Sequence, residues 1–218
     1  MSKAAPAKFV ETPICIDAYG NDEARNRMLR NIDEGKSLTV YFGHGGSRMF
    51  GKNTKFFSSA NVLRMENRNL SILYAGGCDF TVPDKRRRGM GEEFVLSTDR
   101  GMATAIVSTR TTWSNQNFDL GRRLVNSLLS GWPDREKAPT LGEVYAKAKT
   151  RSDYANSLCY MLVGDPALRV PTVRDSIALT IPAKASVAQK LKISGTVLNP
   201  SRSARSDFNG KAVVKLMR

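Results

Sequence analysis

The chain has 218 residues, 41% hydrophobic and 25% charged, a balance that supports a buried core and excludes a disordered chain. It contains no run of about 18 apolar residues, which excludes a membrane-spanning helix, and its three cysteines are too few for a disulfide framework. Its formal charge of +14, from 34 Lys plus Arg against 20 Asp plus Glu, favours anionic partners such as nucleic acid, lipid headgroups or acidic polysaccharide.

In chain order, Met1 to Lys8 carries charge with no apolar core behind it, and so does not read as a signal peptide. Ile14 to Ile16 is a short strand candidate. Asp22 to Glu34 reads as a helix through Ala24, Met28, Leu29 and Ile32, with Gly35 as its stop. Leu38 to Phe42 is a strand, and Ser58 to Arg64 a short helix capped by Ser58 or Ser59. Leu70 to Ala75 is the next strand, Gly91 to Thr98 a helix and Met102 to Ser108 a third strand. Asn117 to Ser130 places Leu120, Leu124, Leu128 and their neighbours on a helical period. Leu141 to Thr150 is a helix with Thr140 and Glu143 in capping-box spacing. Tyr160 to Val163 and Leu168 to Val170 flank a Gly164-Asp165-Pro166 turn.

The strands near 40, 72 and 105 are continuous apolar runs rather than alternating ones. Sheets covered on both faces have this pattern, so the fold class is α/β, a three-layer α/β/α sandwich with a mostly parallel sheet. Composition changes after Pro171. Ile177 to Ile181, Leu191 to Val197 and Ala212 to Leu216 read as strands, too few to close a sandwich. The expected organisation is a 9–171 domain followed by a partial immunoglobulin-like β module over 172–218.

The only histidine, His44, lies in Gly43-His44-Gly45-Gly46, just past the first apolar run. Cys78 lies in Gly76-Gly77-Cys78-Asp79, just past the second, 34 positions later. That separation is about one βαβ unit, so adjacent parallel strands could deliver both turns to the carboxyl edge of the sheet, where sites gather. A thiol nucleophile needs a partner that moves protons near neutral pH, and imidazole is the usual one. Each motif alone is weak: glycines around a histidine often mark only a tight turn, and a free cysteine is commonly a small buried hydrophobe. Together they point to nucleophilic catalysis, with Cys78 attacking a carbonyl and His44 carrying the proton to the leaving group. The N–H groups of Gly45 and Cys78 are candidates for an oxyanion hole.

Gly77, Thr111 and Trp113 are the candidate substrate contacts, Trp113 as an apolar wall. Asp17 could orient His44, but helix capping or solvent exposure is the expected reading. Cys15 and Cys159 lie in apolar stretches and read as inert. Lys85-Arg86-Arg87-Arg88 reads as a surface loop whose functional version is attraction of an acidic partner. One histidine and three scattered cysteines offer no zinc set, and no phosphate loop is present. The cations are dispersed and no zinc finger, helix-turn-helix or RNP-type strand occurs, so nucleic acid is not the expected partner.

The order of motifs resembles the gingipain-type cysteine peptidases of the caspase-like clan. The resemblance rests on Val40-Tyr41-Phe42-Gly43-His44-Gly45-Gly46, Gly77-Cys78-Asp79-Phe80, Met90-Gly91-Glu92-Glu93-Phe94 and Ala105-Ile106-Val107-Ser108-Thr109-Arg110. Leu141-Gly142-Glu143 and Gly164-Asp165-Pro166-Ala167-Leu168-Arg169 continue it, for a coverage of about Asp17 to Pro171. Within the family, Phe42 to Gly45 and Cys78 to Thr81 are most similar to the PorU-type signal peptidase, or sortase, of type IX secretion.

The resemblance implies a caspase-like fold followed by an immunoglobulin-like domain, with His44 and Cys78 as catalytic residues acting on a protein substrate. It implies work outside the cytoplasm, at the outer membrane surface or secreted, with anionic lipopolysaccharide as a possible partner. No cofactor is implied; calcium occurs in gingipains, but no ligand positions for it are recognisable here. A first catalytic subdomain usual in the family is absent, so a missing N-terminal half of the same enzyme is expected to complete the pocket. The alternative is a catalytically incomplete scaffold that binds an anionic polysaccharide or lipid surface.

Overall fold

Three apolar runs form the parallel part of the main sheet, and in the two central ones burial on both faces explains the lack of alternation. The computed structural model describes residues 11–52, 56–129, 139–150, 154–169, 175–182, 190–199 and 201–209. The chain divides into two units, Met1–Pro171 and Thr172–Arg218. In the first unit the order begins α1 (Ile16–Asp33), β1 (Leu38–Phe42), β2 (Gly45–Gly46), β3 (Met49–Phe50), β4 (Phe57–Ser58), α2 (Ser59–Val62) and β5 (Ser71–Gly76). It continues with α3 (Met90–Leu96), β6 (Met102–Ser108), α4 (Ser114–Leu129), α5 (Leu141–Thr150), α6 (Tyr154–Leu158) and β7 (Tyr160–Gly164).

The main sheet has the order β1-β5-β6-β7. Strands β1, β5 and β6 are parallel and β7 runs antiparallel at the edge. All six residues of β5 are buried. Leu73 and Ala75 face one core with Ala24, Met28 and Ile32 of α1 and Met90 and Phe94 of α3. Ile72 and Tyr74 face the other, with Leu120 and Leu124 of α4 and Val144 of α5. Period-2 residues thus feed two separate cores, the signature of a sheet sandwiched between helix layers. The fold is mixed α/β with a mostly parallel central sheet, as the sequence implies.

Several boundaries differ from the sequence reading. Ile14 to Ile16 is not a strand: α1 begins at Ile16, and Gly20 (φ 73°, ψ 168°) kinks it before the regular stretch. A non-helical glycine hid the first turn from any periodic pattern. Helix α4 begins at Ser114 rather than Asn117. Of Leu168 to Val170, Arg169 forms an isolated bridge to Thr140 rather than part of a strand, and Val170 lies outside the described residues.

The second unit contains β8 (Ser176–Thr180) and β9 (Ser194–Leu198), paired antiparallel from Ser176↔Leu198 to Thr180↔Ser194. Arg205 bridges Asp175 and Asp207. The strand expected at Ala212 to Leu216 lies outside the described residues.

Candidate active site

Strand register sets the site. Phe42 at the end of β1 pairs with Gly76 at the end of β5, so the two glycine turns leave the sheet from one rung. The Gly43 N–H donates to Gly76 O at 3.1 Å and continues the ladder by one step.

The histidine turn is held from behind by a tyrosine. The Tyr41 hydroxyl donates to His44 O at 2.7 Å and accepts from Gly51 N at 2.9 Å, while Gly51 N also reaches His44 O at 2.8 Å. Burial pushes the Tyr41 hydroxyl up to about 12, so it stays a neutral donor. The turn then folds back as a small antiparallel sheet of order β2-β3-β4. Its buried Phe50 stacks on Tyr41 with centroids 4.4 Å apart and also on Phe57 and Phe94. These two-residue strands carry too little pattern for sequence analysis to detect. The His44 side chain projects from this braced turn and is exposed.

Around Cys78 the backbone is fixed on both sides. Gly77 O accepts the Ser108 hydroxyl at 2.5 Å and the Thr112 hydroxyl at 2.9 Å. Beyond the cysteine, Asp79 adopts φ 54°, Asp79 N donates to Arg110 O at 3.3 Å and Thr81 N to Ser108 O at 3.0 Å. The Cys78 N–H has no acceptor among the described residues. Cys78 itself is half-buried. Its sulfur accepts from Thr112 N at 3.4 Å and lies 3.5 Å from Thr112 O.

The turns interlock. A Cβ built on Gly45 would stand 2.7 Å from Cys78 O and 2.3 Å from Phe80 Cζ. One on Gly77 would stand 2.4 Å from Gly43 O. Only glycine permits such approach, which is the local reason for the glycine-rich wording of both motifs. Phe80, fully buried, plugs the joint edge-on against Tyr41 and Phe50.

A ring of buried amides lies behind the sulfur. Asn117 Nδ2 donates to Thr112 Oγ1 at 2.9 Å, Asn156 Nδ2 to Asn117 Oδ1 at 3.1 Å, and Trp113 N to Asn156 Oδ1 at 2.9 Å. The Tyr74 hydroxyl adds a bond to Asn117 O. Tyr160 packs beside this ring near Cys78, and burial pushes its hydroxyl up to about 12. Sequence reasoning missed Asn117 and Asn156. The only signal was an amide on the otherwise apolar face of α4; Asn156 sits on a helix too short to show a pattern.

The remaining candidates are placed as follows. Thr111 is exposed and Trp113 is 67% exposed, both on the segment that follows β6, while Gly77 is buried between the turns. Asp17 is exposed in the first turn of α1. Cys15 is exposed rather than buried in an apolar stretch, and Cys159 is half-buried with its thiol 3.6 Å from Ala155 O. Among the described residues, no His/Cys/Asp/Glu group is arranged to hold a metal and no helix is long and apolar enough to cross a membrane.

Comparison with known proteins places these features. The family model of Peptidase family C25 matches residues 6–171. A comparison with curated proteins finds no significant match. Among solved structures, the complex of Porphyromonas gingivalis RgpB pro- and mature domains superposes with a TM-score of 0.60 at 19% identity, over 78% of this chain and 43% of that one. The crystal structure of the Arg-specific cysteine proteinase gingipain R (RgpB) gives 0.59 at 18% identity, over 78% and 42%. A third, described as a protease, gives 0.56 at 12% identity, over 80% and 48%. The chain therefore spans less than half the length of these structures. At these identities the likeness concerns the fold.

Proposed function

The chain belongs to peptidase family C25, and on that premise we propose that it carries the Cys/His dyad of a cysteine endopeptidase. The observation that carries this reading is the interlocking of the His44 and Cys78 turns at adjacent strand ends. His44 takes the thiol proton, and the Cys78 sulfur attacks the scissile carbonyl. The tetrahedral oxyanion is received by the backbone N–H groups of Cys78 and Gly45. As the intermediate collapses, His44 protonates the leaving amine and a thioester remains on Cys78. Water, attacking with His44 as base, releases the acid and restores the thiol. Thr111 and Trp113 flank the bound peptide, and Gly77 keeps the two turns in close approach.

The finer assignment is a C-terminal signal peptidase of type IX secretion, acting at the outer membrane surface or outside the cell. In the sortase version an amine replaces water in the second step, with lipopolysaccharide as the acceptor. The motif wording at Phe42 to Gly45 and Cys78 to Thr81 supports it. Residues 172–218 are read as part of an immunoglobulin-like module.

The test is hydrolysis of a fluorogenic peptide library together with labelling by a thiol-directed acyl probe. Cys78→Ala abolishes both, and His44→Ala abolishes hydrolysis. Labelling that persists at undiminished level after loss of Cys78 overturns the assignment.

A further inference from the structure

Four consecutive cations, Lys85, Arg86, Arg87 and Arg88, follow the cysteine turn, and every residue from Pro83 to Arg88 is exposed. None of the four forms an ion pair among the described residues, whereas three nearby carboxylates are engaged. Asp84 pairs with Arg110 at 3.3 Å, Glu93 with Arg48 at 3.6 Å, and Glu92 accepts from Gly89 N. Asp79, half-buried, follows the nucleophile directly.

Both ends of this loop are fastened to the site. On the entering side, Thr81 N bonds Ser108 O and Lys85 N bonds Val82 O at 2.9 Å. The Asp84–Arg110 pair adds a tie to the residue whose carbonyl holds Asp79. On the leaving side, Met90 N donates to Ser47 O at 2.8 Å, on the histidine hairpin, and Gly91 N to Phe80 O at 3.0 Å. A Cβ on Gly89 would stand 2.6 Å from Phe80 O, so the exit is tightly seated. The run thus connects the cysteine turn to the histidine hairpin.

Charge at that position acts locally. At physiological salt the screening length is about 8 Å, so exposed cations elsewhere on the molecule add little at the site. Four extended residues cover at most about 14 Å, which matches a few residues of a bound peptide rather than an extended surface. We infer that the 85–88 loop is a docking rim for acidic residues flanking the scissile bond, so that the preferred substrate is an acidic peptide segment. The inference rests on the peptidase reading of the same site and adds a charge preference to it.

The test measures binding separately from turnover. In a Cys78→Ala background, anisotropy is read for a labelled peptide bearing a cluster of Glu and Asp, and for its Gln/Asn counterpart, at about 50 mM and about 300 mM salt. A rim variant replaces Lys85, Arg86, Arg87 and Arg88 with Gln. A control replaces Arg30, Lys36, Arg64 and Arg68, which precede β1 and β5 at the opposite, amino edge of the sheet. With a few exposed ion pairs at stake, the acidic peptide is expected to bind roughly tenfold more tightly than the neutral one at low salt. The rim variant should lose that margin and the control should keep it.

Equal binding of the two peptides overturns the inference, as does equal loss in rim variant and control, which reports only the overall charge. Loop-dependent binding that is tighter to phosphatidylglycerol vesicles than to the acidic peptide also overturns it, in favour of a lipid surface. Failure of the peptidase reading shows separately, as probe labelling that ignores Cys78. Failure of the rim leaves that labelling intact.

Discussion

The backbone N–H of Thr112 points at the sulfur of Cys78 from 3.4 Å, and the peptide that carries it is clamped by two buried asparagines. The clamp makes the surroundings of the sulfur depend on side chains that never touch a substrate. Asn117→Ala removes the donor to the Thr112 hydroxyl, which keeps its bond to Gly77 O, and the acceptor of the Asn156 amide. Losing two buried hydrogen bonds costs about 1–3 kcal/mol. Urea unfolding should show that loss, and acyl-probe labelling of Cys78 should slow under conditions where the variant remains folded.

The interlocked turns predict opposite outcomes for two neighbouring glycines. Gly45→Ala drives a methyl into Phe80 and the Cys78 carbonyl, and overpacking of this kind costs about 1–3 kcal/mol. Gly46→Ala meets only the flexible end of Met49 at 3.4 Å and should cost well under 1 kcal/mol on the same scale. Denaturation midpoints of the two variants check the contrast.

Phe80 joins both turns to the aromatic cluster beneath them. Phe80→Ala should cost about 3–5 kcal/mol and should loosen His44 and Cys78 together. Hydrogen exchange at the Gly51 amide, which caps the histidine turn, is the direct readout.

Alkaline pH should unfold the protein through its tyrosines. Burial raises Tyr41, Tyr145 and Tyr160 from 10.0 to about 12 and Tyr74 further still. Between those values the unfolded chain has released protons that the folded chain retains, so stability falls as pH rises. It is fully present below about pH 10 and is lost progressively from there toward pH 12 and beyond. Urea midpoints across this window, with tyrosinate absorbance as a second probe, should decline together, and Tyr160→Phe should flatten the slope.

What the sequence disclosed followed from burial. Strands β5 and β6 are legible because covering both faces demands a nearly continuous apolar run, β1 because its side chains still feed both cores, and both turns because close packing demands glycine. Helix α5 is legible for another reason: its Thr140/Glu143 cap is written in local spacing, and it forms, with Thr140 N donating to Glu143 Oε2 at 2.7 Å. The hairpin strands β2 to β4 stayed hidden because their stability comes from distant rings stacking, which leaves no periodicity. Asn156 stayed hidden because its partners are 39 and 43 residues away. The exposed Cys15 shows the limit of reading burial from neighbours, since Ile14 and Ile16 pack inward while the residue between them does not.

The reversed direction of the edge strand has its own effect on how the chain is assembled. Because β7 enters the sheet at the rim where its parallel neighbours leave it, the short helix before it is delivered to the edge that bears the two turns. Late sequence is thereby used to brace an early thiol. Translation beyond Tyr154 must finish before the Trp113 amide finds its acceptor. A ribosome-bound chain stopped short of that point would hold every strand that bears a turn, but not the brace that keeps the second one still.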